Sequence, residues 1–288
     1  MKPPQFNYYA PRTVDEVTSL LDKYGMEARV LAGGQSLVPI MNLRIMRPEA
    51  LVDLNQCSEL DFIEKRETCV AIGAMVRQID AMNSEMVKNH CPLVSQALEW
   101  AGPIAVRSRA TVGGTLAHAD RVAELPSVAI ALDAIMVIHG SRGSREVAAQ
   151  DFFLGDLTTV IEPGEFLRET RFPICAPGAY SSFQEVSVRT EGVAVTGLAA
   201  YIEMNGNIVR KSGFAAMGVD GTPVRLSQVE SLIEGRSLGS QSLIDEAGHL
   251  AMSEIDPMSD LYASDVYRKR VIGVLLTRAL SGATREKV

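Results

Sequence analysis

Two short glycine pairs are the residues of this sequence best suited to chemistry. One lies in Leu31-Ala32-Gly33-Gly34-Gln35-Ser36-Leu37, the other in Ala110-Thr111-Val112-Gly113-Gly114-Thr115. A glycine pair turns the chain with no side chain in the way, so bare backbone N–H groups can approach an anion as a nest of donors. Gln35 and Ser36 add donors at the rim of the first turn, and Ser36 is placed to cap a helical turn at Leu37-Val38. Thr111 and Thr115 add hydroxyls to the second. Downstream, Asp120 and Glu124 bring carboxylates that can accept hydrogen bonds from sugar hydroxyls. Holding a pyrophosphate by backbone suits a chain whose net charge is −7. Alone, each pair reads more readily as an ordinary tight turn or a glycine-rich loop. Together, about eighty residues apart, they can converge on one extended ligand. Neither fits the dinucleotide GxGxxG fingerprint or the P-loop.

Other candidate chemistries fare worse. The acidic balance disfavours nucleic acid, whose phosphates need a basic face, and Arg268-Lys269-Arg270 reads as a solvated helix face. Cys57, Cys69, Cys91 and Cys175 form no CxxC pair and have no clustered histidine. They are expected as reduced, mostly buried thiols, with no zinc or iron–sulfur site held by this chain alone. His90, His118, His139 and His249 are scattered. His118 follows the second glycine pair closely enough to reach a ligand, though a structural role is as good a reading. Arg29, Arg107 and Arg109 flank the two turns, where salt bridges to the many carboxylates are the default. No Ser-His-Asp, Cys-His or HExxH grouping occurs. No stretch approaches the roughly 20 apolar residues of a membrane helix, and the N-terminal residues carry no signal segment, so a cytoplasmic location is expected.

The elements that must position these residues are legible in part. Thr13 with Glu16 reads as a capping box, Val14, Val17, Leu20, Leu21 and Tyr24 share one helical face, and Gly25 ends the helix. Strands are expected at Arg29–Ala32, Ala50–Leu54 and Thr68–Gly73, as β-α-β units of one small sheet. Residues 77–101 read as helical with a break at Pro92, and Trp100 as a core anchor. Residues 102–126 read as loop-rich. Strands resume at Ala134–His139, and Gly140-Ser141-Arg142-Gly143 reads as a hairpin. A composition break at 173–178 suggests a boundary. Beyond it, strands at Tyr180–Val188, Ala194–Met204 and Asn207–Met217 meander through the turn signal Asn205-Gly206. Helices follow: one opened by a Ser227/Glu230 capping box and ended by Gly235, then others over 239–255 and 264–281. The class is α+β, without repeats or low-complexity tracts.

Residues 32–44, AGGQSLVPIMNLR, with TVGGT at 111–115, closely resemble the FAD-binding medium subunit of molybdenum-containing hydroxylases, the carbon monoxide dehydrogenase, xanthine dehydrogenase, nicotine dehydrogenase and quinoline oxidoreductase families. The likeness covers essentially the whole chain, including Phe6-Asn-Tyr-Tyr-Ala-Pro11, the Asp53 strand, Ile72-Gly-Ala74, Asp151-Phe-Phe153, Pro163-Gly-Glu-Phe-Leu167, Tyr267-Arg268 and Arg278-Ala-Leu280. The resemblance implies a vanillyl-alcohol-oxidase-type (PCMH-like) FAD-binding fold over 1–175, in subdomains of about 1–58 and 59–175. A C-terminal domain would follow over 176–288, with a three-stranded antiparallel sheet packed on helices. It implies that the 31–37 turn and Ala110, Thr111, Gly113, Gly114 and Thr115 hold the FAD pyrophosphate and neighbouring sugar. Glu124 stands where the family commonly has Asp, on the ribityl or adenosine side, and Leu167 near the flavin end. Val193 stands where some relatives have an aromatic ring.

The resemblance also implies partners: a small subunit with two [2Fe–2S] clusters and a large subunit with molybdopterin, assembled as a dimer of heterotrimers. Substrate, with a slight lean to N-heteroaromatics, would be hydroxylated at molybdenum elsewhere, and electrons would leave through FAD to an external acceptor. No catalytic or metal-ligating residue is expected in this chain. The rival readings are a self-sufficient flavoenzyme of the same fold, which lacks a visible catalytic base, and an interaction protein that has lost its flavin, which the intact glycine pairs oppose.

Overall fold

The computed structural model describes residues 1–189 and 192–285. The chain opens with strand β1 (Asn7–Tyr9), helix α1 (Val14–Tyr24), β2 (Ala28–Leu31), α2 (Leu37–Asn42) and β3 (Ala50–Asp53). These strands form an all-parallel sheet in the order β1-β3-β2. Helix α1 lies on it because Val14, Val17 and Leu21 recur on one face and are buried against Val52, Leu54 and Leu60. Thr13 caps α1 by accepting from the Glu16 N–H, while the Glu16 carboxylate reaches the N–H of Arg12 rather than that of the cap itself.

A second sheet is antiparallel throughout: β4 (Ile63–Lys65), β5 (Cys69–Gly73), β6 (Ile135–Gly140), β7 (Gly143–Ala148) and, after a short hairpin, β10 (Phe166–Pro173), in the order β4-β5-β10-β6-β7. The strand expected at Thr68–Gly73 therefore belongs here and not beside β2 and β3. Its burial on both faces gave no hint of which sheet it would join. Between β7 and β10 lie α9 (Ala149–Phe152) and the small pair β8 (Phe153–Gly155) and β9 (Thr158–Thr159).

Six helices fill the crossover from β5 to β6: α3 (Gln78–Asn83), α4 (Glu85–His90), α5 (Pro92–Leu98), α6 (Ile104–Arg107), α7 (Val112–His118) and α8 (Glu124–Ala131). The 102–126 segment is thus mostly helical. Its helices are short, and α7 carries two glycines, so they are too brief for periodicity to register. The 77–101 run is broken at Ser84, which caps α4, as well as at Pro92. Trp100 is 41% exposed, not a core anchor, because it falls past the end of α5 and outside its buried face.

The C-terminal sheet comprises β11 (Tyr180–Ser187), β12 (Ala194–Asn205), β13 (Ile208–Met217) and β14 (Val224–Arg225). The two-residue β14 makes it four-stranded, one more than expected. Both faces are apolar. Phe183, Ala199, Ala215 and Met217 face the main core with α5 and α8, while Leu198, Ala200, Ile202, Phe214 and Ala216 face α10 (Ser227–Ile233), α11 (Gln241–Ser253) and α12 (Asp265–Arg285). The sheet is thereby the middle layer between two sets of helices.

Two sequence expectations fail in this region. Ser227 is the first residue of α10 and not its cap, and no side chain of the preceding residue bonds there. The Glu230 carboxylate instead accepts from the Phe214 N–H and from Arg225. The α10 N-terminus is capped from the end of α11, where Glu254 accepts from the N–H groups of Gln228 and Val229 at 2.9 and 2.8 Å. Glu254→Ala is expected to remove both bonds and destabilise the chain by about 1–2 kcal/mol, read as a lower midpoint in a urea melt. Arg268 is not a solvated residue: it is 2% exposed, since its run opens α12 beneath the β12–β13 layer. Lys269 does lie at the surface, paired with Asp256.

Candidate functional site

The two glycine segments meet. A Cβ on Gly33 would lie 2.3 Å from the Arg109 carbonyl oxygen and 2.6 Å from the Ala110 Cα. Only glycine allows the end of β2 to press on the chain entering α7. From the other side, a Cβ on Gly114 would stand 3.3 Å from the Ala32 Cβ. Gly113 is pressed on Ala74, where a Cβ would be 2.5 Å from the Ala74 Cα, and its N–H donates to the Ala74 carbonyl at 3.1 Å. Glycines 80 positions apart in sequence are thus consecutive layers of one wall.

Three residues that sequence reasoning passed over clamp this wall. Asn55 Nδ2 donates to the Ala32 carbonyl at 3.0 Å, and Arg77 donates to the Arg109 carbonyl at 2.6 Å and to the Asn55 side chain. Gln78, 4% exposed, donates from its backbone to the Ala110 carbonyl and from Nε2 to Thr115 Oγ1. A lone polar residue after a strand is a common helix-start signal, so nothing in their spacing marked them as ties between segments.

The two glycine pairs differ in where their backbone N–H groups go. In the first, the N–H groups of Gly33, Gly34, Gln35 and Ser36 donate to no group among the described residues. Gly34 holds φ +73°, which a larger residue would adopt only with strain. These four successive donors, with Gln35 and Ser36 exposed at the rim, are free to bond an anion, as successive backbone N–H groups in a nest do. Ser36 stands at the N-cap of α2, yet its side chain makes no capping bond. In the second, the donors are spent. Val112 N–H goes to the Val76 carbonyl, Gly113 to Ala74, Gly114 to the capping Thr111 Oγ1, and Thr115 to the Thr111 carbonyl. The second pair opens α7 instead of a turn, and its glycines allow close packing without offering bare donors.

Beyond α7, Ala119 adopts the left-handed conformation and ends the helix. Asp120 accepts from the Val122 N–H at 3.1 Å. Glu124 begins α8 half-buried. Burial pushes its carboxyl up to about 7, with the Asp120 carboxylate adding to the rise and its own N–H and Arg107 opposing it. Leu31 and Leu37 are half-buried on either side of the first pair. Leu167 lies on β10, 4% exposed in the main core beside a bulge, so its side chain is a core residue. Arg29 and Arg107 donate to backbone carbonyls, of Met26 and Ala28 and of Glu99 and Gly102, and not to the carboxylates expected of them. His118 is half-buried in the last turn of α7.

Residues 4–175 match the family described as the FAD binding domain in molybdopterin dehydrogenase, and residues 181–283 match the CO dehydrogenase flavoprotein C-terminal domain. The chain belongs to this family. It is a FAD-binding medium subunit, an oxidoreductase component whose cofactor is FAD, with the PCMH-type fold of that group. The medium chain of carbon monoxide dehydrogenase from Hydrogenophaga pseudoflava is 34% identical over 98% of both chains. The 6-hydroxypseudooxynicotine dehydrogenase complex subunit alpha of Paenarthrobacter nicotinovorans is 34% identical over 98% of this chain and 96% of its own. Among solved structures, the Hydrogenophaga carbon monoxide dehydrogenase superposes with a TM-score of 0.95 over 98% of each chain, at 34% identity. Quinoline 2-oxidoreductase from Pseudomonas putida 86 gives 0.94 over 99% of each, at 32% identity. The free donors at Gly33–Ser36, beside a Gly33 that leaves no room for a Cβ, fit the anionic part of such a cofactor. Among the described residues no group of three His, Cys, Asp or Glu side chains is placed to hold a metal ion, and all four cysteines are free, Cys57 and Cys91 fully buried.

Proposed function

We propose that this FAD subunit is the electron-relay component of a multi-subunit molybdenum hydroxylase. Bound FAD supplies a two-electron carrier between [2Fe–2S] clusters in a small partner subunit and an external acceptor, while substrate is hydroxylated at molybdopterin in a large one. The observation that carries the reading is the convergence of the two glycine segments around four free N–H groups.

In this reading Gly33, Gly34, Gln35 and Ser36 bind the pyrophosphate by backbone, with Leu31, Ala32 and Leu37 fixing where those donors point. Ala110, Thr111, Gly113, Gly114 and Thr115 set the distance between the two walls and keep bulk water from the phosphates. Asp120 and Glu124 face the sugar side, and Leu167 backs the flavin end from the core. The chain contributes placement and electrostatic tuning, not a nucleophile or a general base. The FAD domain is assigned to 1–175 and the C-terminal domain to 176–288, in a cytoplasmic dimer of heterotrimers. No helix among the described residues is long and apolar enough to cross a membrane.

The substrate is assigned to another chain. Relatives named for carbon monoxide, 6-hydroxypseudooxynicotine and glyceraldehyde stand at 34, 34 and 33% identity, so the medium subunit is nearly indifferent to what is oxidised. N-heteroaromatics are the first class to assay, on the pattern of Gln35 and His118-Ala119-Asp120. The purified chain is expected to show flavin absorption bands and to copurify with a Cys-rich small chain and a much larger one. A colourless chain that cannot be reconstituted with FAD overturns the reading, and a yellow chain that oxidises substrate alone replaces it with a self-sufficient enzyme.

A further inference from the structure

The arginines around the glycine wall lack what arginines elsewhere in the chain have. Asp and Glu outnumber Lys and Arg by 35 to 28, so a carboxylate is the default partner of a guanidinium here. Arg66 pairs with Glu169, Arg145 with Glu165 and Arg225 with Glu230. Among the described residues, Arg29, Arg77 and Arg107 donate only to neutral acceptors. The positive charge nearest the glycine wall is left unneutralised.

Arg77 is the one of these that is fixed against the nest. Its backbone bridges to Thr111, and the next N–H, of Gln78, donates to the Ala110 carbonyl at 2.9 Å. Its guanidinium then grips both glycine segments. Nη1 donates at 2.6 Å to the Arg109 carbonyl, the same oxygen that would stand 2.3 Å from a Gly33 Cβ. Nη2 donates to Asn55 Oδ1, and Asn55 Nδ2 donates in turn to the Ala32 carbonyl at 3.0 Å and to Asp53. A donor on one side and acceptors on the other fix which way that amide points.

The Ala32 carbonyl and the Gly33 N–H are the two poles of one peptide group, and in a trans peptide they point opposite ways. Arg77, Asn55 and the Ala32–Gly33 peptide are therefore aligned donors in series, and the series ends in the Gly33 N–H, which has no acceptor among the described residues. Each bond in such a series polarises the next. The carboxylate that joins it, Asp53, accepts from the Tyr8 hydroxyl and from the Asn55 backbone and side-chain N–H groups, and not from Arg77.

We propose that Arg77 is the fixed positive charge of the FAD site. It is a positioning residue that holds the two glycine segments together and, through Asn55 and the Ala32–Gly33 peptide, strengthens the Gly33 donor toward the pyrophosphate. The inference rests on the reading of Gly33–Ser36 as the pyrophosphate nest. It accounts for how a chain of net charge −7 attracts a polyanionic cofactor. A charge that acts at a distance is screened by salt, whereas a wall that acts by shape is not.

The test is titration of FAD into the flavin-stripped full chain at about 10 mM and about 1 M salt, between which the screening length falls from about 30 Å to about 3 Å. Wild-type affinity should fall as salt rises. Arg77→Gln, which removes the charge, should weaken FAD by ~10-fold at low salt and by less than ~3-fold at high salt. Arg77→Met serves if that variant misfolds. Arg77→Lys should rescue the low-salt affinity to within about three-fold of wild type, since it restores the charge without the fork. Asn55→Ala breaks the series and keeps the charge, so it should weaken FAD by a similar factor at both salt concentrations. A wild-type affinity indifferent to salt, an Arg77→Gln loss equal at both concentrations, or an Arg77→Lys no better than Arg77→Gln overturns this inference alone. Wild-type affinity in Gly33→Ala overturns the nest reading beneath it.

Discussion

Gly33→Ala is expected to leave the chain folded but nearly without flavin. The new Cβ would stand 2.3 Å from the Arg109 carbonyl oxygen and 2.6 Å from the Ala110 Cα, and neither is the end of a flexible side chain. One backbone must withdraw by roughly 1 Å, the overlap between those distances and ordinary van der Waals contact. That displacement opens the wall between the glycine segments and turns the free N–H groups of Gly33–Ser36 away from a common centre. Overpacking of this kind destabilises by about 1–3 kcal/mol, and a misaimed nest should weaken FAD by ~100-fold or more, equivalent to about 2.7 kcal/mol. Gly155→Ala is the matched control. Its Cβ would meet nothing within 4 Å, and its backbone is not left-handed, so flavin content should stay near wild type. Flavin-to-protein absorbance of the two purified variants, followed by FAD titration of the stripped chains, decides the matter. A Gly33→Ala chain that binds FAD within about two-fold of wild type would mean the two segments do not act as one site.

How far the sequence led can be seen at these same residues. Glycine pairs advertise a backbone that must come close to something, and both pairs do. What each approaches was not legible. Gly113 and Gly114 read as a second anion turn, but their N–H groups are consumed by Ala74 and by Thr111, because a helix starting against a strand end satisfies its own first turn. Helix α1 was legible to the residue, since its cap, its face and its terminal glycine all agree. The α10 start was misread because Ser227 and Glu230 have the right spacing, while the competing partner, Glu254, lies 26 residues on from the capped Gln228 and comes from another helix. The failures share a cause. Periodicity and capping are local, and where a distant backbone group or side chain offers a better bond, tertiary contact overrides the local signal. Asn55 and Arg77, which hold the glycine wall together, are visible only once the two segments have been brought face to face.

Arg268→Met is expected to be the most destabilising single substitution of a charged residue in the C-terminal half. The Arg268 guanidinium is 2% exposed and donates to the carbonyls of Val195 and Gly218 at 2.6 and 2.7 Å and to Asp260 at 2.6 Å. It thus ties the start of β12, the end of β13 and the loop before α12 to one another. Gly218 donates in turn to the Arg121 carbonyl in the α7–α8 link, and Arg121 also reaches Asp260. Methionine keeps most of the volume and removes every donor, leaving two buried carbonyls and a carboxylate without the group that faced them. Breaking a buried, hydrogen-bonded charge in this way costs about 3–5 kcal/mol, which for a chain of this size lowers the melting temperature by about 6–15 °C. Arg268→Lys should fall between the two, because one ammonium lacks the planar fork that spans two carbonyls and a carboxylate at once. Asp260→Asn should be milder still, since that side chain is 27% exposed and water can replace it. The tie runs into the link that carries Asp120 and Glu124. Loosening it should therefore also weaken FAD in the Met variant at temperatures well below its melting point, measured by release of flavin fluorescence on dilution. A melting temperature within about 2 °C of wild type would show that the buried guanidinium is exchangeable for apolar packing, as some buried ion pairs are. The run of basic residues that looked like a solvated surface would then be tolerated in the core and not required there.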